Sequence, residues 1–319
     1  MKIALITPAA ASSRYGNRNT AVRWAELLRE LGHQVQVQER WNGRSADLLL
    51  ALHARRSHDS VARFAERHPD RPLILALTGT DLYRDIHSDA NAQESMELAT
   101  RMIVLQDMGL RELSPRLRRK TGVVYQSCES IKKQPPIRSC FEIIISGHLR
   151  AEKDPFCGAA ALSYLPKESR IRITQIGGAR EPALADAAHR WMKGEPRYCW
   201  LGELPRNSAL KTVARGQVML ISSLMEGGAN VVSEALMARV PVIASRIPGN
   251  VGMLGKDYCG FYPVGNVKAL ARLLRRLETD LNLLPTLRKQ CAVRRKLISR
   301  SSERRSLRKI IQECTRGNS

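Results

Sequence analysis

The sequence predicts an α/β chain folded as two doubly wound parallel sheets. Three observations carry that expectation. Short apolar runs alternate with amphipathic segments of helical period along nearly the whole chain. The alternation stops once, at residues 128–139, where Lys132-Lys133 and Pro135-Pro136 stand without a periodic face, and then resumes. A length of 319 residues accommodates two ordinary domains, each with its own core. The expected layout is an N-terminal domain at 1–127, a linker at 128–139, a C-terminal domain at 140–280 and a basic helical tail at 281–319.

In the first half the apolar runs at 2–7, 34–38, 47–52, 73–77, 102–105 and 122–125 read as strands. Helices are expected at 19–31, 57–67, 92–99 and 108–120. The helix from Asn19 shows the logic: Val22, Leu27, Leu28 and Leu31 recur on one face, and Gly32 supplies the stop. In the second half strands are expected at 141–146, 171–176, 198–200, 218–222 and 240–244. Helices are expected at 156–165, 182–193, 207–214, 231–238 and 267–280.

Composition excludes some classes. An apolar content of 43% is that of a globular protein, and no run approaches the roughly eighteen apolar residues of a membrane span. The seven cysteines are scattered and form no Cys-x-x-Cys pair, so free thiols in a reducing cytoplasm are expected. The net charge of +22 is concentrated between Arg272 and Arg316. Leu270, Leu273, Leu274 and Leu277, then Leu307, Ile310 and Ile311, recur there at helical spacing, which reads as terminal amphipathic helices with solvated basic faces. With four phenylalanines and four tryptophans, and no aromatic ladder among the basic residues, no nucleic-acid partner is expected.

Residues 220–245 hold the densest chemistry. An apolar strand runs to Glu226, followed by Gly227-Gly228-Ala229-Asn230, a helix carrying Glu234, and a second apolar strand. Glycines let the backbone approach phosphates, and a helix start offers N–H groups and a positive dipole end. Glu234 is placed to accept two hydrogen bonds from a ribose diol, and Glu226 to hold hydroxyls of a second sugar. The bland alternative is a buried βαβ unit whose acids complement the helix dipole. Two glutamates separated by seven residues and flanked by strands favour a nucleotide-sugar site.

That segment resembles the donor motif of GT-B glycosyltransferases of the family 4 type. The match extends to Lys2-Ile-Ala-Leu-Ile-Thr-Pro8, Leu52-His-Ala-Arg-Arg-Ser-His58 and Leu77-Thr-Gly-Thr-Asp-Leu-Tyr-Arg-Asp-Ile86. It continues through Gly147-His-Leu-Arg-Ala-Glu-Lys-Asp-Pro155 and Trp200-Leu-Gly-Glu-Leu-Pro205. Over about residues 1 to 270 the chain is similar to the selenosugar synthases of selenoneine biosynthesis. The resemblance implies two Rossmann-like domains facing each other across a cleft. It further implies a metal-independent, cofactor-free transfer of a sugar from a UDP-sugar, of the UDP-GlcNAc or UDP-glucose type, to selenophosphate. The products would be a 1-seleno-sugar, UDP and phosphate.

The resemblance also assigns residues. Relatives place an Arg directly after the loop glycine and a Lys five positions later, both on the donor diphosphate. Here Gly147 is followed by His148, Lys153 fills the Lys slot, and Arg150 is the nearest candidate for the displaced charge. Arg150, Lys153 and Glu226 are therefore the expected catalytic residues. Gly147, His148, Gly178, Leu204, Gly227, Gly228, Ala229, Asn230 and Glu234 are the expected donor contacts. No Asp-x-Asp motif is present, and fixed cations with a helix N-terminus can stabilise a leaving diphosphate. Relatives carry Gly where Arg239 stands between helix and strand. A left-handed backbone there would cost an arginine roughly 1–2 kcal/mol.

The acceptor is expected in the first half. Arg14, Gly16, Asn17, Arg18, Asn19 and Thr20 follow the first strand, and their mix of cations, amides and hydroxyls fits a small tetrahedral anion. Thr78, Gly79, Thr80 and Asp81 follow another strand and are assigned to the same site. Arg55 and Arg56 are either further cations or a solvated pair before a Ser57 cap. His53 or Asp81 could serve as base for an alcohol acceptor, whereas an anionic selenium nucleophile needs none. Two other readings compete: a conventional family 4 glycosyltransferase acting on a sugar or lipid alcohol, and a basic nucleic-acid-binding protein on a glycosyltransferase scaffold.

Overall fold

The computed structural model describes residues 1–10 and 16–316. Runs such as Leu48-Leu-Leu-Ala-Leu52 and Leu73-Ile-Leu-Ala-Leu77 are buried at every position, as strands covered on both faces must be. The chain divides into two units, one formed by Met1–Ser127 with Leu297–Ser319, the other by Cys128–Lys296.

The first unit holds six parallel strands: β1 (Lys2–Ile6), β2 (Gln34–Gln38), β3 (Leu48–Leu52), β4 (Leu73–Leu77), β5 (Arg101–Val104) and β6 (Thr121–Val123). Their order is β2-β1-β3-β4-β5-β6, so the winding direction reverses between β1 and β3. Alternate residues feed separate cores on the two faces: Ile6, Leu49 and Leu75 on one, Leu5, Leu50 and Ile74 on the other.

The second unit holds β7 (Phe141–Ser146), β8 (Ile171–Ile176), β9 (Tyr198–Trp200), β10 (Val218–Ile221), β11 (Val242–Ser245) and β12 (Phe261–Tyr262) in the order β12-β11-β10-β7-β8-β9. All are parallel, and the reversal falls between β7 and β10. That is the dinucleotide-fold order, in which ligands bind at the carboxyl ends of the two strands beside the reversal.

Several expectations need correction. Val22 is 40% exposed; the buried face of helix Gly16–Glu30 is made by Ala21, Trp24, Ala25, Leu27 and Leu28. The single helix expected at 108–120 is a 3-10 turn, Asp107–Glu112, and a separate helix, Pro115–Arg119. Pro115 cannot continue a helix, whereas at the first turn its missing N–H is harmless, and Ser114 caps the new start. Helix Pro248–Leu254 and strand β12 lie between the strand expected at 240–244 and the helix expected at 267–280, where no element was expected.

The basic segment from residue 281 is not one tail. Helix Leu283–Arg294 belongs to the second unit, and helix Arg300–Arg316 returns to the first, burying Leu307, Ile310, Ile311 and Cys314 in its core. Glu303, 1% exposed, fixes that return. Its carboxylate accepts from Trp24 Nε1 at 2.7 Å, Arg23 Nε at 3.0 Å, and the N–H of Ser127 at 2.9 Å. The stretch expected as a linker rests on the second unit, where Lys133 Nζ donates to the Gly216 carbonyl at 2.8 Å.

The turn at Arg239 is left-handed, with φ of 58°. Its N–H bonds the Leu236 carbonyl at 3.1 Å and that of Val240 bonds Ala235 at 2.9 Å, the paired bonds of a Schellman stop. An arginine thus occupies the position that glycine fills at least cost.

Candidate functional site

In the second unit three glycine turns lie side by side where β7, β8 and β9 end. Gly177, with φ of 134°, backs onto Gly147 so closely that a Cβ there would lie 2.1 Å from the Gly147 carbonyl oxygen. The Leu149 N–H donates to Gly178 O at 3.0 Å, so the loop after β7 runs along the loop after β8. A Cβ on Gly178 would meet Glu203 Oε2 at 2.9 Å and His148 Nδ1 at 3.6 Å, which brings together three motifs remote in sequence. Leu204 is half-buried beside Glu203 in the chain. Burial lowers the pKa of His148, and Arg180 adds to the effect. Where the resemblance leads one to expect a permanent cation, this position carries an imidazole held toward its neutral form.

Arg150 begins a 3-10 turn, Ala151–Lys153, and its buried Nε makes no hydrogen bond among the described residues. Ser222, directly after β10, ties this turn down: its hydroxyl donates to the carbonyls of Lys153 and Asp154, both at 2.9 Å. The Leu224 N–H donates to Glu152 O at 2.9 Å. The two strand-end loops beside the reversal are thereby stitched together. Across the stitch Lys153 Nζ bonds Glu226 Oε1, pairing two residues that sequence had singled out separately. Ser223 Oγ donates to the same carboxylate oxygen at 2.7 Å.

Gly227, Gly228 and Ala229 lead into helix Asn230–Met237, whose N-cap is Ala229 and which has no side-chain cap. Glu234 lies one turn into that helix with its side chain 13% exposed, and Arg206 Nη1 stands 3.4 Å from its Oε1. Sequence reasoning missed Arg206, Ser222 and Ser223. The serine pair directly after a fully apolar strand was the available signal; nothing marked Arg206, which reaches Glu234 only through folding.

In the first unit, Arg14 lies outside the described residues. Gly16, Asn17, Arg18 and Asn19 form the opening turn of helix Gly16–Glu30, half-buried or exposed. Thr20 does not share that openness. It is 2% exposed, donates to Gly16 O at 2.9 Å and accepts from Gln126, so its hydroxyl joins the helix to the segment that follows β6. Asp81 also differs from the expectation. It is 0% exposed, and its carboxylate accepts the N–H groups of Thr78 at 2.9 Å, Gly79 at 2.8 Å and Ala54 at 3.0 Å. Its task is to shape the turn between Thr78 and Thr80, which are half-buried themselves.

His53, in a left-handed conformation with φ of 76°, is buried behind that turn. Its Nδ1 accepts from the Arg56 N–H at 3.4 Å, which places the ring proton on Nε2, 3.2 Å from Thr80 Oγ1. Burial lowers the His53 pKa despite Asp81 nearby. Asp85 accepts from Arg55 Nε at 2.9 Å and Arg84 Nε at 3.1 Å. Burial pushes its carboxyl up, but those two guanidinium bonds hold it below its ordinary value.

Comparison with known proteins agrees with this architecture. A Xenopus tropicalis protein, glycosyltransferase 1 domain-containing protein 1, is 22% identical over 320 residues, covering 89% of this chain and 89% of its own. The solved structure of Anabaena HepE with UDP-glucose matches at a TM-score of 0.79 and 15% identity, covering 98% of this chain and all of the other. Sucrose-phosphate synthase from Thermosynechococcus elongatus matches at 0.77 and 15% identity, covering 99% of each. The fold is that of the GT-B glycosyltransferases. Residues 128–294, more than half of the chain, match the family model of glycosyl transferases group 1, and the chain belongs to that family.

Proposed function

We propose that this glycosyltransferase moves a sugar from a UDP-sugar to selenophosphate without a metal ion. The observation that carries the donor half is the meeting of Lys153 and Glu226 at the β7/β10 reversal. Arg150 and Lys153 stand on the loop assigned to the diphosphate, where fixed cations would stabilise charge as the UDP oxygen separates from the anomeric carbon. Glu226 would hold hydroxyls of the transferred sugar, and Glu234 the ribose. Gly227, Gly228, Ala229 and Asn230 bring main chain to the phosphates at a helix start. UDP as the carrier is supported by HepE, solved with UDP-glucose, and by the sequence resemblance.

The acceptor half rests on the resemblance and on one structural feature. Asp81, the candidate base for an alcohol acceptor, is closed off and bonded to three N–H groups. Selenophosphate is already anionic at selenium and needs no base. The selenium–carbon bond forms as the bond from the anomeric carbon to the UDP oxygen breaks. Attack of water on phosphorus then releases phosphate from selenium. Gly16, Asn17, Arg18 and Asn19, with Arg14, Thr78, Gly79 and Thr80, are assigned to this anion.

The test is incubation with selenophosphate and a panel of UDP-sugars, in chelator, followed by mass spectrometry. A selenium-bearing sugar with matching UDP and phosphate is the expected result. UDP release no faster than donor hydrolysis, or transfer only to alcohols, overturns the acceptor assignment. Activity abolished by chelator and restored by magnesium or manganese overturns metal independence.

A further inference from the structure

The loop carrying Glu226 is held by a buried hydrogen-bond chain that the donor assignment does not use. Asn250, 0% exposed in helix Pro248–Leu254, donates from Nδ2 to Ser245 O at 2.9 Å and to the Ser245 hydroxyl at 3.2 Å. The Ser245 hydroxyl, also 0% exposed, donates to Ser223 O at 2.5 Å. Ser223 Oγ donates in turn to Glu226 Oε1 at 2.7 Å, the oxygen that Lys153 also bonds. The main chain is clamped as well: a Cβ on Gly249 would lie 2.0 Å from the Glu226 carbonyl oxygen. The chain therefore crosses from the exit of β11 to that of β10 and ends on a carboxylate facing the exit of β7.

Its effect is to distinguish the two oxygens of one carboxylate. Oε1 receives both protein donors, and among the described residues none reaches Oε2. We infer that Ser223, Ser245 and Asn250 are positioning residues that fix Glu226 so that Oε2 alone is presented to hydroxyl groups of the bound sugar. This rests on the reading of Glu226 as the sugar-binding carboxylate. A glutamate free to rotate would have to be ordered during each turnover, whereas here the ordering is built into the fold.

The experiment compares the full-length parent with Ser223→Ala, Ser245→Ala, their double variant, Ser223→Thr and Glu226→Gln. UDP release is measured with the best UDP-sugar, and UDP affinity by calorimetry. Each alanine change should lower kcat by about ten- to a hundredfold, the upper end being the cost of a 1 Å misplacement at a reacting site, with UDP affinity within roughly twofold of the parent. Because the residues act in series, the double variant should lose no more than the worse single one, and Ser223→Thr should restore most of the rate. A crystal structure of Ser245→Ala should show the Glu226 carboxylate turned away from its Ser223 and Lys153 partners.

Unchanged kcat in both alanine variants, fully additive losses, or an unmoved Glu226 in that crystal structure overturns the proposal. If Glu226→Gln alone leaves the rate intact, the sugar-binding reading of Glu226 fails instead. The crystal structure judges the positioning chain independently of any turnover.

Discussion

The two units have the same number of parallel strands but spend their polar residues differently. Where β7 and β10 end, the Ser222 and Ser245 hydroxyls bond the backbone, and the ionic side chains of Lys153, Glu226 and Glu234 keep 22%, 12% and 13% of their surface open. Where β3 and β4 end, the carboxylates themselves are consumed: Asp81 holds three backbone N–H groups and Asp85 holds two arginines. One set of loops is scaffolded by neutral groups, while its charged side chains pair with one another at a partly open surface. The other uses charge as scaffold. A carboxylate seen at a strand end in sequence therefore carries different weight in the two halves.

The comparison can be broken most severely at Glu303. Glu303→Ala strands the Trp24, Arg23 and Ser127 donors inside the first unit, at a cost of about 3–5 kcal/mol. Denaturant unfolding followed with probes in each unit should show the first unit melting early while the second holds. A uniform shift of both transitions would argue that the two scaffolds are not separable.

The next largest effect belongs to Lys153. Its removal should slow sugar transfer about 100- to 1,000-fold, as loss of a transition-state charge partner does, and weaken UDP much less. Single-turnover kinetics beside UDP calorimetry separate the two; an equal loss in both would make Lys153 a binding residue only. Glu234→Ala should then weaken UDP by about 1–3 kcal/mol, in line with hydrogen bonds to a charged group. Equal calorimetric affinity in parent and variant would remove the ribose role.

The smallest effect sharpens the contrast in scaffolding. Arg239→Gly relieves a left-handed side chain and should stabilise the second unit by about 1 kcal/mol. Only its transition should move in thermal unfolding.

The strands were legible because each is a short apolar run bounded by polar punctuation; β4, β7 and β8 begin and end where the pattern says. Strand β12 was not, since Phe261–Tyr262 is two residues long and pairs only through the partner that folding provides. Helix 16–30 was legible apart from its start, which precedes Asn19 by three residues, and Leu27, Leu28 and Leu31 do face the core. Val22 fitted the period, yet Trp24 and Ala25 lie on the face that meets the sheet. The segment expected to bind the donor could be read as one unit because Glu226, Gly227 and Glu234 lie within nine consecutive residues. Its contacts could not be read this way: Lys153 was singled out on its own, and Lys153, Arg206 and Asn250 meet the segment across strands, which no local pattern records. Asp81 misled for a related reason: its composition suggests reactivity, and only its backbone partners show that it is spent.

The return of helix Arg300–Arg316 to the first unit bears on the order in which the protein is made. Glu303 bonds Ser127 across 176 residues, while everything between Cys128 and Lys296 forms one uninterrupted unit. A ribosome thus delivers the first sheet early but withholds the helix that seals part of one apolar face. At roughly 5–20 residues per second the wait is on the order of ten to thirty seconds. The second unit can be complete before the first, reversing the usual N-to-C order of domain completion. During that interval the apolar surface that Leu307, Ile310 and Ile311 later cover stays exposed to water.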